Sequence, residues 1–142
     1  MSDPARRILL AILMLGVAGI SLELWLLNHV EDIYMLIPLI LNAATVMVIV
    51  AGWSRPSPGI VRLFQAVMLL LLISGGVGIW WHFQVNMEFQ LEMDPQLAGM
   101  PLFRKAIAAK TPPAMAPGAM VQLGLIGLAY TFRHPALVSP RP

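Results

Sequence analysis

The sequence has no cysteine, so it can form no disulfide, no thiolate metal site and no thiol nucleophile. Charge is nearly as scarce: Asp, Glu, Lys and Arg make up 11% of the chain, against roughly 25% in a soluble globular domain. So few charges cannot coat the water-facing surface of a 142-residue globule. Nine basic residues against seven acidic ones leave a formal charge of +2, too slight and too scattered for a nucleic-acid footprint, so no nucleic acid is expected as a partner. Ser21, Ser54, Ser57, Ser74 and Ser139 have no histidine and acid at a spacing that suggests a nucleophile and its base. Gly75-Gly76-Val77-Gly78 lies inside an apolar run and reads as a packing stretch, not a phosphate loop. No enzyme is expected, and no cofactor is required.

What the chain has in abundance is apolar surface. Hydrophobic residues account for 58% and the mean hydropathy is +0.78, which points to lipid as the main solvent. Four apolar stretches, at 8–27, 33–53, 61–83 and 114–132, reach the ~20 helical residues that a bilayer core of about 30 Å demands. Backbone groups in hydrocarbon must be satisfied within the segment, and no alternating pattern suits a barrel, so helices are expected. Pro38 falls near the start of the second run, where a missing N–H is tolerated; Pro56, Pro58, Pro95, Pro101, Pro112, Pro113 and Pro135 punctuate the loops. Arg6 and Arg7 precede the first run, but that run continues without a clean cleavage site and reads as an uncleaved helix, not a signal peptide. The expected fold is therefore an all-α membrane protein, a single domain over 1–142 with four transmembrane helices in a bundle.

Basic residues of short loops set the orientation. Arg6, Arg7, Arg55, Arg62, Arg133 and Arg141 fall on one side, while Arg104, Lys105 and Lys110 fall on the other. Both termini are expected in the cytoplasm, in a bacterial inner membrane, with the lipid bilayer itself as the first partner. Trp25, Tyr34, Trp80 and Trp81 then mark the outer boundary, and Trp53, Tyr130 and Phe132 the inner one.

Helices in lipid associate through small residues and a few polar contacts. Gly16, Gly19 and Glu23 share a stripe on the first helix, and Gly75, Gly78 and His82 repeat the arrangement on the third. Asn42 and Thr45 share a face of the second. The fourth offers two faces, Gln122 with Ala129, and Gly124 with Gly127 and Thr131. A contact from Glu23 to His82 between the two glycine stripes would place a titratable pair near the outer surface.

The outer loop, 84–113, is the longest extramembrane stretch. Its first part, to residue 93, has no breaker and can prolong the third helix, stacking Glu88 and Glu92 on one face. Residues 101–110 set Leu102, Phe103 and Ile107 against Arg104, Lys105 and Lys110, a pattern that suits a short helix lying at the membrane interface. His29, Glu31, Asp32, His82, Glu88 and Glu92 are weak candidates for a metal site, because imidazoles and carboxylates are usable ligands but their spacing is not diagnostic. His82 beside Trp80 and Trp81 could also ligate a haem or a chlorophyll-type pigment, although an aromatic belt accounts for it without one.

No resemblance to a known family is carried by these residues. Multidrug exporters of this size carry a glutamate deep in the first helix, and quinone-thiol oxidoreductases need cysteines; this chain meets neither pattern. The leading expectation is a non-catalytic accessory or structural subunit of a larger integral-membrane complex, for example a respiratory or photosynthetic one, bound to other subunits or to itself. The alternative is a small ion- or metal-binding or transport protein working through Glu23, His82 and the acidic loop.

Overall fold

The computed structural model describes residues 4–26, 33–54, 57–109 and 115–138, and among them the chain is entirely helical. The elements are α1 (Pro4–Leu26), α2 (Ile33–Ser54), α3 (Pro58–Met93), α4 (Gly99–Ile107), α5 (Ala116–Thr131) and a 3-10 turn at Pro135–Leu137. Three of them, α1, α2 and α3, are long and apolar enough to cross a membrane. The fourth apolar run folds as α5, whose 16 residues span about 24 Å. Pro117 fits within its first turn, where no N–H partner is needed.

Local chemistry explains where α3 begins and ends. The Ser57 hydroxyl caps it by accepting from the Ile60 N–H at 3.3 Å, and Pro58 pre-sets its first turn. No breaker follows until Asp94-Pro95, so the helix runs for 36 residues, about 54 Å, and overshoots a bilayer core by about 24 Å. At its end the Asp94 side chain accepts from the Gln96 N–H, and Gly99, at φ +59°, turns the chain into α4. There α4 packs on the α3 extension. Asn86 Nδ2 donates to the Ala106 carbonyl at 3.2 Å, Phe83 meets Phe103 edge-on at 5.6 Å, and Ala106 is fully buried.

The remaining four helices pack side by side. Helix α1 lies against α5 and α2, and α3 lies against α5 and α2, which puts α1 and α3 at opposite corners. Buried residues of α1 recur as Leu13, Val17, Ile20 and Leu24, one face of a helix, and they meet Phe64, Met68, Leu71, Met120 and Leu123 in the common core. The pairing of α3 with α5 is the most extensive, and glycine is the reason. A Cβ at Gly124 would stand 2.7 Å from the Met68 carbonyl oxygen, and one at Gly75 would stand 2.6 Å from that of Pro117. Gly127 abuts Met68 and Phe64 in the same seam. Only bare backbone lets these axes approach so closely.

This packing redistributes the expected seams. Gly75 and Gly78 face Pro117 of α5, and Gly16 faces Leu123 of α5, so α5 receives the glycines of α3 and only Gly16 of the α1 stripe, and the stripes do not meet one another. Gly19 has open space above it. On α5 the packed face is Gly124, Gly127 and Thr131, whereas Gln122 and Ala129 are exposed, because the bare glycine backbone lets α3 approach closely on that side. Asn42 and Thr45 are both buried, at 2% and 0% exposure. The hydroxyls of Ser21, Thr45, Ser54 and Thr131 turn back to carbonyls of their own helices, and Gln65 Nε2 reaches Thr131 Oγ1 across the α3–α5 seam at 3.1 Å.

Candidate functional site

Of the residues singled out for metal or ion chemistry, His29, Glu31 and Asp32 lie outside the described residues. Glu88 and Glu92 stand exposed on the α3 extension, and His82 is half-buried one turn above Gly78. Glu23 is exposed on α1, one turn beyond Gly19 on the same outward face. Because α1 and α3 hold opposite corners, Glu23 and His82 belong to helices that each pack on α5 and α2 instead of on each other. Among the described residues, no three of His, Asp and Glu gather as a metal ion would require.

Two other places have built geometry. The first is a groove between α1 and α2 of about 220 Å³, lined by Met14, Val17, Ala18, Ser21, Leu39, Asn42, Ala43 and Val46. Its polar end is a short relay. Ser21 Oγ donates its single hydrogen to the Val17 carbonyl at 2.7 Å, so toward Asn42 it can only accept, and it does so from Nδ2 at 3.0 Å. The relay thereby fixes which way the Asn42 amide faces. Asn42 Oδ1 is then left buried without a hydrogen-bond partner among the described residues. An orphaned acceptor of this kind costs about 1–3 kcal/mol. Around it, Ala18 and Ala43 are small and exposed, so the groove is shallow enough for another backbone to approach.

The second is a cleft of about 780 Å³ at the end where α1 begins and α5 finishes. Its walls are Leu10, Ala11, Met14, Val48, Ile49 and Phe64, and Arg6, Arg7, Tyr130 and His134 stand around its mouth. Arg6 is held in place by the end of α5: Nη2 donates to the carbonyls of Phe132 and Arg133 at 3.0 and 2.8 Å, satisfying acceptors that a helix C-terminus leaves open. Arg133 closes the helix in the left-handed region, at φ 49°, with its guanidinium 5.4 Å from the Phe132 ring. His134 Nδ1 accepts from the Ala136 N–H at 3.2 Å, which only a neutral ring can do with that nitrogen. Burial and then the nearby Arg6 charge push the His134 pKa below its usual 6.5. Tyr130 lies between the two rings, edge-on to Phe64 at 5.6 Å and tilted against His134 at 5.7 Å, and continues the wall inward.

Neither place was among the sequence-derived candidates as a site. Arg6 read only as a topology signal, since the carbonyls it bonds lie 126 and 127 residues away along the chain. Asn42 read as a packing residue, and nothing local shows that one of its two polar atoms goes unmatched. In comparisons with models of protein families, with curated proteins and with solved structures, nothing matches this chain.

Proposed function

We propose that this chain is a non-catalytic subunit of a larger integral-membrane assembly, embedded through four helices with both termini in the cytoplasm. The register of the helices supports the four-span reading. Arg6 sits level with Phe132, Gly16 with Leu123, Gly75 with Val121 and Gln65 with Thr131, so α5 runs antiparallel to both α1 and α3. In that register Trp25 is level with Trp80, and Trp53 is level with the start of α3 and the end of α5. All three tryptophans are exposed, and so is Phe132. The two belts stand about 21 helical residues apart, or roughly 30 Å, the thickness of a hydrocarbon core. Lipid then bathes the exposed Leu15, Leu22, Ile40, Met47, Leu70 and Leu125. The distribution of arginines supports the cytoplasmic placement of both ends.

The observation that carries a docking role is Asn42 Oδ1, a buried acceptor with no hydrogen-bond partner among the described residues, on a residue that lines a small-residue groove. In hydrocarbon no water can satisfy it, so a donor from an adjoining transmembrane helix is the natural complement. Glu23 and the open Gly19 give the same outward-facing helix a second polar point beside a close-approach position. An ion-transport role built on Glu23 and His82 finds less support, because their helices stand at opposite corners. The test is extraction from the native membrane in mild detergent with a photo-crosslinker at Ala43. A heavy assembly with a crosslinked partner, lost in Asn42→Leu, is expected. A monodisperse species of one or two chains with no crosslink rejects the proposal.

A further inference from the structure

The cleft at the terminal end draws its walls from α1, α2, α3 and α5, and its volume of about 780 Å³ falls within the roughly 300–1,000 Å³ of small-molecule sites. Its depth is apolar, with Leu10, Met14, Val48, Ile49 and Phe64 running toward the middle of the helices. The arginines at its mouth do not select the occupant, because Arg6 is bonded to the Phe132 and Arg133 carbonyls and Arg7 has a partner of its own. What the end of α5 adds to the mouth is neutral. The Thr131 hydroxyl donates to the Leu128 carbonyl and accepts from Gln65 Nε2, which closes it.

Tyr130 and His134, which line the same mouth, are not closed in this way. His134 Nδ1 accepts from the Ala136 N–H, so the proton of the neutral ring sits on Nε2, and no described residue accepts it. The Tyr130 ring lies 5.7 Å from that of His134, and its hydroxyl donates to no described residue. Two neutral donors therefore stand together at the rim of a deep apolar cleft. A carbonyl oxygen carries two lone pairs and no charge, and so matches such a pair. A bare hydrocarbon would fill the depth and leave both donors unused.

We propose that this cleft binds a neutral, largely apolar molecule through one carbonyl oxygen, which accepts from the His134–Tyr130 pair while the apolar body lies against Leu10, Met14 and Phe64. Two sources offer that chemistry, the acyl ester of a membrane lipid and a free ring ketone with an alkyl tail. The mouth lies level with Trp53, at the interfacial depth where either would enter. The inference rests on the membrane-spanning reading above and needs no protein partner.

The experiment uses the full chain, purified in mild detergent and freed of lipid, and reads binding by native mass spectrometry for two matched pairs of probes. Ester-linked phosphatidylcholine is set against its ether-linked analogue, and decylbenzoquinone against decylbenzene. We expect a carbonyl-bearing probe to bind about fivefold or more tightly than its carbonyl-free counterpart, as one net hydrogen bond would give. The pair that shows the preference identifies the source. Tyr130→Phe combined with His134→Asn should abolish it, since Phe keeps the ring contacts and Asn keeps an acceptor for the Ala136 N–H. Trp80→Phe, at the opposite belt, should leave it intact. Ala11→Trp fills the cleft from an exposed position on α1 and should weaken binding of the preferred probe with the helical content unaltered. Equal binding within both pairs, a preference that survives the double variant, or binding unchanged by Ala11→Trp would each overturn the proposal. If alkaline carbonate strips the chain from membranes, the membrane-spanning reading fails first, a result separable from all of these.

Discussion

Asn42 donates from Nδ2 to Ser21 Oγ at 3.0 Å, and this bond ties α2 to α1 across a pairing that is otherwise loose. Side-chain bonds between transmembrane helices contribute about 0.6 kcal/mol on average and up to about 1.7. Ser21→Ala, which strands the Asn42 donor as well as its acceptor, is expected to destabilise the isolated chain by about 1–2 kcal/mol. Adding Asn42→Leu should restore most of that loss, since no buried polar atom then remains. Thermal unfolding of the two single variants and the double in one detergent measures this; strictly additive losses would count against a direct bond.

The glycines should separate into two groups. Gly75→Ala and Gly124→Ala place a methyl group 2.6–2.7 Å from a carbonyl oxygen of the facing helix, so the α3–α5 seam must open, at a cost of about 1–3 kcal/mol. Gly19→Ala and Gly76→Ala meet open space and should be neutral, or gain up to about 1 kcal/mol from helix propensity, in the chain by itself. A melting series over the four variants tests the division. If Gly19→Ala is neutral in the purified chain yet lowers its recovery in a native assembly, that face is covered by a partner.

His134 makes stability depend on mild acid. Its folded-state pKa is held below 6.5 by burial and by Arg6, so the unfolded chain takes up the proton first as the pH falls. Stability is therefore full above about 6.5 and declines below it, as protonation removes the Nδ1 acceptor of the Ala136 N–H. His134→Gln should flatten this part of the stability profile. An unchanged slope between neutral pH and the folded pKa would contradict it.

Arg6 should act as a tether for the end of α5. Arg6→Gln removes both bonds to the Phe132 and Arg133 carbonyls, worth about 1 kcal/mol at this exposed position. Hydrogen exchange at residues 130–134 should quicken, with little change in the α3–α5 seam at Gly75 and Gly124. Protection lost uniformly along α5 would mean that Arg6 holds the whole helix.

Docking of α4 on the α3 extension depends on two contacts, the Asn86 bond to Ala106 and the Phe83–Phe103 edge. Asn86→Leu with Phe103→Ala should expose α4 to protease while α1 and α2 keep their protection. Cleavage that stays confined to the chain ends in that variant would show that α4 is held by other means.

Helix existence was legible because lipid demands about 20 apolar residues, and breakers between them are obvious. The expected runs at 8–27 and 33–53 correspond to Pro4–Leu26 and Ile33–Ser54, and the prolongation of the third run past Phe83 follows from the absence of any proline or glycine before Asp94. The short helix expected over 101–110 forms as Gly99–Ile107. Partnership was not legible. The stripe of Gly16, Gly19 and Glu23 is real as a helix face, yet whether it met α2, α3 or α5 depended on which face of a nearly uniform apolar helix turned inward.

What the sequence determined alone, then, is composition-driven: helices long and apolar enough to cross a membrane, with their punctuation and their charge asymmetry. Periodicity within one helix is local physics, and local physics survives any tertiary arrangement. What only the tertiary structure decided is pairing: that α5 takes Gly75 and Gly78 of α3 and Gly16 of α1, that Arg6 closes the end of α5, and that Asn42 Oδ1 finds no hydrogen-bond partner among the described residues. Such outcomes depend on atoms brought within about 3 Å from distant parts of the chain. Apolar helices in lipid offer little burial preference to say in advance which faces those will be.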